Sequence, residues 1–94
     1  MIDHLVLLKI KDTNAIATIV NELKQLQSKI SEIKSLSVGE NFCDRNKGFQ
    51  VGLRVTFDSQ EDLDKYQIHP EHQRVLNNFI KPHLEDVIAV DYCF

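Results

Sequence analysis

Cysteine is scarce in this chain: Cys43 and Cys93 stand fifty positions apart, with neither a CxxC pair nor a spacing typical of a zinc site. The expectation is two small buried apolar residues in a reducing, cytoplasmic compartment. Basic clusters are missing as well. Eleven Lys and Arg against fourteen Asp and Glu give a formal charge of −3, which offers no footprint for phosphate backbones or anionic lipid and argues against nucleic acid or a membrane surface as a partner. No apolar stretch exceeds four residues, and the opening MIDHLVLLKIKD carries Asp3, His4, Lys9 and Lys11, too polar and too short for a signal peptide or a membrane span. There is no Gly-rich phosphate loop and no GxSxG elbow, so nucleotide hydrolysis and triad esterase chemistry have no support.

What is present is 94 residues, 43% hydrophobic and 27% charged, the composition of one globular domain spanning 1–94. A chain this short hides only about 60 to 65% of the surface its unfolded form exposes. Its core is thin unless a second subunit thickens it.

The periodicity of the apolar residues changes along the chain. From Ile2 to Ile10 it is two, with Ile2, His4, Val6, Leu8 and Ile10 on one face and Asp3, Leu5, Leu7 and Lys9 on the other. From Ile16 to Ile30 it becomes three and four, the signature of an amphipathic helix with Asp12, Thr13 or Asn14 as N-cap. Alternation returns over Leu36–Phe42 and, after the turn-rich Asp44–Gly48, over Phe49–Phe57, a hairpin. Ser59 and Asp62 read as a capping box opening a helix with Leu63 and Tyr66 inward. Pro70 disfavours helix at His69 and suits the first turn of a new one, so the helix breaks and restarts with His72, Val75, Leu76 and Phe79 on one face, until Pro82 closes it. Val87–Phe94 is a final, almost wholly apolar strand. The order β-α-β-β-α-β predicts an α+β fold, a split βαβ arrangement with both helices on one face of a four-stranded antiparallel sheet. The other face is left bare, and because the first and last strands are apolar on both sides, a second copy of the chain is its simplest cover.

If the parity of His4 faces the helices, His4, Tyr66 and His72 meet around a small pocket. A phenol and two imidazoles in apolar surroundings can supply a donor for a developing oxyanion and a general base near neutral pH. Each also fits a core position with its polar atom bonded to a backbone carbonyl or a buried water. His69 and His72, with Glu71 or His4, have a spacing that could offer ligands to a metal, but Pro70 sets His69 ahead of the helix, so the rings diverge; no metal or cofactor is expected. His69 reads as a cap, His83 as a solvated loop residue. Asp91 is either an exposed edge charge or a carboxylate that orients a histidine.

The stretches His4–Lys11, Val38–Asn41 and above all Tyr66-Gln67-Ile68-His69-Pro70-Glu71-His72, following the strand end Phe57-Asp58-Ser59, resemble the stress-responsive dimeric α/β barrel (Dabb) family, from the first strand to Val90-Asp91-Tyr92. The resemblance implies a ferredoxin-like subunit that pairs through its sheets into a barrel. The family includes a plant polyketide cyclase that forms olivetolic acid by intramolecular aldol condensation. By that resemblance His72 removes a proton from an acidic carbon, Tyr66 holds the oxygen on which charge develops, and His4 lines the site and positions the substrate. The residues that shape the cyclase's alkyl pocket are not matched to positions of this sequence, so its substrate does not transfer. Two readings follow: a homodimer that binds a small carbonyl compound, with cyclase- or lyase-like acid–base chemistry, or a non-catalytic stress-associated homodimer whose Tyr/His cluster is structural.

Overall fold

Strand β1 (Ile2–Ile10) lies at the heart of the sheet in the computed structural model, which describes all 94 residues. A short 3-10 turn (Thr13–Ala15), capped by the Asp12 carboxylate accepting from the Asn14 backbone N–H at 3.0 Å, leads into helix α1 (Ile16–Lys29). Strands β2 (Ser35–Glu40) and β3 (Val51–Phe57) form the hairpin, and helices α2 (Gln60–Ile68) and α3 (Pro70–Val75) follow. A π-helical turn (Leu76–Ile80) and a 3-10 turn (Lys81–His83) then deliver the chain to β4 (Leu84–Cys93). The sheet order is β2-β3-β1-β4, all neighbours antiparallel. This is the ferredoxin-like arrangement expected from the sequence.

Helical periodicity explains which side of α1 is buried: Ile16, Ile19, Leu23 and Leu26 are its interior residues. They meet the inward residues of the alternating strands, Leu8 and Ile10 from β1 and Val51, Leu53, Val55 and Phe57 from β3. Each such side chain, fully buried, is worth about 1.5–3 kcal/mol relative to exposure. The hairpin turns at Lys47 (φ 53°) and Gly48 (φ 88°). A side chain at Gly48 would be strained in that left-handed conformation and would bring its Cβ to 2.7 Å from Lys9 Cε.

Register assigns the faces. Ile2, His4, Val6 and Leu8 stand opposite Phe57, Val55, Leu53 and Val51 of β3 and Cys93, Asp91, Ala89 and Val87 of β4, on the helix-covered side. The other side carries Leu5 and Leu7 with Arg54 and Gly52 of β3 and Ile88, Val90 and Tyr92 of β4. No helix covers it: Leu7, Ile88, Val90 and Tyr92 are all 43–51% exposed. Polar order exists at one end of this face, where Asp3 is buried and accepts from the Thr56 hydroxyl at 2.5 Å and the Tyr92 hydroxyl at 3.1 Å.

Several sequence expectations change in detail. Pairing in β2 ends at Glu40, leaving Phe42 wholly exposed beyond it; β3 starts at Val51, not Phe49; and β4 starts at Leu84, three residues before Val87. Both cysteines, expected to be buried, are exposed: Cys43 lies in the hairpin loop and Cys93 at the end of edge strand β4. β4 has a neighbouring strand on one flank only, and its end at Cys93 is open to solvent. His83, expected to be a solvated loop residue, is half-buried in the 3-10 turn, and its carbonyl accepts from the Lys11 backbone N–H at 2.7 Å. Nor does Pro82 alone end the second helix, because the π turn has already altered its pitch.

Candidate functional site

Tyr66 and His72 are six residues apart, which in an unbroken helix would place them about 120° apart around the axis and about 9 Å apart along it, on different faces. The break is what brings them together. His69 is extended (φ −62°, ψ 135°), as the residue before a proline prefers, and Pro70 starts α3 in a new direction. The His69 Nδ1 caps that helix, accepting from the Glu71 backbone N–H at 3.1 Å, so it serves as the cap expected of it. As a result the Tyr66 and His72 rings lie 4.4 Å apart between centroids, tilted by 44°. Phe57 supports the phenol from below at 5.2 Å, and the His4 ring meets it nearly edge-on at 5.9 Å. The three residues predicted to form a site are therefore brought together, with Tyr66 as the central member.

Hydrogen bonds fix the histidine tautomers. A carbonyl oxygen only accepts, so the 3.1 Å contact between His72 Nδ1 and the Gln67 carbonyl requires a proton on Nδ1. That leaves the Nε2 lone pair of neutral His72 free to accept a proton. Burial pushes the His72 pKa below the ordinary histidine value, opposed by the Gln67 bond and helped by the nearby His4 and His69; at neutral pH His72 is a free base. His4 Nδ1 likewise donates to the Asp91 carboxylate, its register partner on β4. Asp91 is thus the orienting carboxylate, although its side chain is 45% exposed at the strand edge.

Tyr66 has the opposite character. Burial raises its phenol pKa far above the usual tyrosine value, so it is a neutral donor throughout the physiological range. None of the chain's hydrogen bonds engages its hydroxyl, yet no side-chain oxygen sealed from solvent lacks a partner. The hydroxyl of this buried ring therefore reaches accessible space.

That space is a cavity of about 240 Å3 between the helices and the sheet. His4, Tyr66 and His72 line it together with Val6, Leu8, Leu23, Leu53, Leu76 and Ile80, and Lys81, Leu84 and Val87 complete the wall. The π turn contributes Leu76 and Ile80, a use of irregular helix beside a cavity for which the sequence pattern gives no signal. A larger hollow of about 460 Å3 beneath the hairpin loop, bounded by Phe42, Cys43, Gly39 and Gly52, contains neither imidazole nor phenol. The smaller cavity is the one that brings a phenol and imidazoles together. Nowhere do three His, Cys, Asp or Glu side chains converge as a metal-binding group, and His69, turned to cap α3, does not join His72 on the cavity.

Comparison with known proteins bears on the family and the fold. The sequence model of the Stress responsive A/B Barrel Domain matches residues 2–94. A stress-response A/B barrel domain-containing protein of Arabidopsis thaliana is 30% identical over 98% of this chain, which spans 36% of that relative's length. Among solved structures, a dimeric protein of unknown function and ferredoxin-like fold from Bacteroides fragilis superposes with a TM-score of 0.88 at 27% identity, covering 99% of this chain and 95% of its own. A dimeric ferredoxin-like protein of unknown function from Thermobifida fusca gives 0.86 at 25% identity, covering 99% and 90%. No helix of the present chain is long and apolar enough to cross a membrane.

Proposed function

The chain belongs to the stress-responsive A/B barrel (Dabb) family, and on that footing we propose that its single domain, residues 1–94, forms a homodimer that binds a small carbonyl compound and moves a proton on it. The observation that carries this reading is the pairing, on one apolar cavity, of an unpartnered Tyr66 hydroxyl with the free Nε2 of His72. In the proposed reaction His72 Nε2 takes a proton from the carbon beside the carbonyl. Tyr66 donates a hydrogen bond to the carbonyl oxygen as charge gathers there, and His4, held by Asp91, positions the substrate. Cyclase- or lyase-like chemistry uses the same enolate-forming step.

The homodimer rests on the uncovered sheet face, with Leu7, Ile88, Val90 and Tyr92 exposed, and on relatives described as dimeric. Two unpaired thiols and a lack of paired cysteines fit a cytoplasmic location.

Deuterium exchange beside the carbonyl of 2-octanone, followed by proton NMR in D2O, tests the reading. The expected result is exchange faster than in buffer for the native chain, lost in His72→Gln. Native exchange no faster than buffer favours the second reading, a non-catalytic dimer, whose supporting observation is that His69 and His72 both bond the backbone around the helix break.

A further inference from the structure

The charges around the cavity are not evenly placed. At one end the Asp91 carboxylate sits behind His4. Toward the other, where the chain leaves the π turn for β4, the wall includes Lys81. The chain's ion pairs engage Lys9, Lys29, Lys34, Lys65 and Arg74 but not Lys81. Of the carboxylates that follow it in sequence, Glu85 pairs with Lys9 at 3.1 Å and Asp86 makes no ion pair with it. Lys81 is therefore a free cation on the wall of an otherwise apolar channel, while both reactive groups, Tyr66 and His72, are neutral.

We infer that the ligand carries an anionic group, a carboxylate, joined to its carbonyl by an apolar chain, and that Lys81 receives the anion. This rests on the cavity being the ligand site and adds the class of ligand it takes. The electrostatics set the direction of entry. A carboxylate is repelled from the Asp91 end and drawn to Lys81, which leaves the carbonyl facing Tyr66 and His72. Length follows from the lining of β1, which runs from His4 to Leu8, about 13 Å at 3.3 Å per residue. A straight chain of about eight carbons fits within that length. Apolar side chains along it would solvate the chain without holding it rigidly, so discrimination comes from the charged end.

The test uses octanoate and 2-octanone, of the same length but differing in charge, titrated into the native chain, Lys81→Gln and Lys81→Glu. Shifts of the Tyr66 and His72 ring resonances are the readout, so only occupancy of this cavity is counted. Octanoate is expected to bind the native chain more tightly than the ketone, to lose about three- to five-fold in affinity in Lys81→Gln and more in Lys81→Glu, and to weaken with added salt. The ketone is expected to bind all three chains alike. Equal binding of the two probes, or an equal loss of both in Lys81→Gln, overturns the anion assignment and leaves the proposed site standing. If neither probe moves the Tyr66 or His72 signals, the site reading fails along with it.

Discussion

Replacing Tyr66 with Phe removes one oxygen atom and leaves the ring where it is. The ring is 1% exposed and held between Phe57 at 5.2 Å and His72 at 4.4 Å, contacts that phenylalanine keeps. Because the hydroxyl has no protein partner, no hydrogen bond is broken within the fold, and the stability of Tyr66→Phe should lie within about 0.5 kcal/mol of the native chain. Catalysis should respond very differently. Loss of one preorganised donor to an oxyanion costs about 100- to 1000-fold in kcat, with KM little changed because the bond strengthens only in the transition state. Two measurements on one preparation decide the matter: deuterium exchange into 2-octanone, and a thermal melt at a fixed protomer concentration, since dimers melt in a concentration-dependent way. Were the hydroxyl a structural tie, its removal would cost about 1–3 kcal/mol. At about 4–8 °C of Tm per kcal/mol for a domain this size, that is easily seen. A lowered Tm with unchanged exchange refutes the reasoning.

The pH profile of exchange should show an acid limb below pH 6.5 from His72, whose pKa burial lowers, and no fall from ionisation of Tyr66 at ordinary alkaline pH; an acid limb above pH 7 contradicts the assignment. Stability follows the same sign. The folded chain holds the His72 proton less tightly than the unfolded chain, so this contribution is complete above about pH 6.5 and lost as pH falls through the lowered value, as denaturant midpoints across pH 4–8 should report, with His72→Gln flattening the curve. Val90→Glu places a charge in the middle of the uncovered face, and light scattering should find a monomer at concentrations where the native chain is a dimer; a dimer of unchanged affinity would place the interface elsewhere. His69→Ala removes the cap of α3 and should cost about 1 kcal/mol in chemical denaturation, whereas a cost near zero would show that the cap is dispensable.

Features encoded by neighbouring residues were legible in the sequence. The period of two in β1 put His4, Val6 and Leu8 on one face, and the structure turns that face toward the helices. The His69-Pro70 pair announced the break that joins Tyr66 to His72, because it acts through a local steric preference. What could not be read depends on residues far apart in the chain. His4 and Asp91 are 87 positions apart, and they meet only through the β1–β4 register. A strand as uniformly apolar as Val87–Val90 carries no alternation from which register could be inferred. Cys93 illustrates the same limit, since its exposure follows from sheet order, which put β4 at an edge. The π turn has no pattern at all, because one residue too many per turn leaves composition unchanged.

The break at His69-Pro70 sets a limit on how this chain can be stabilised. Measured by helix propensity alone, Pro70→Ala would be an improvement, letting α2 and α3 merge into a longer, more cooperative helix. That merger would turn His72 away from Tyr66 and separate the base from the donor. A selection for thermal resistance alone would therefore tend to straighten the segment and discard its chemistry, so variants gained that way should be screened for the spacing of those two rings before their melting temperature is counted as a gain.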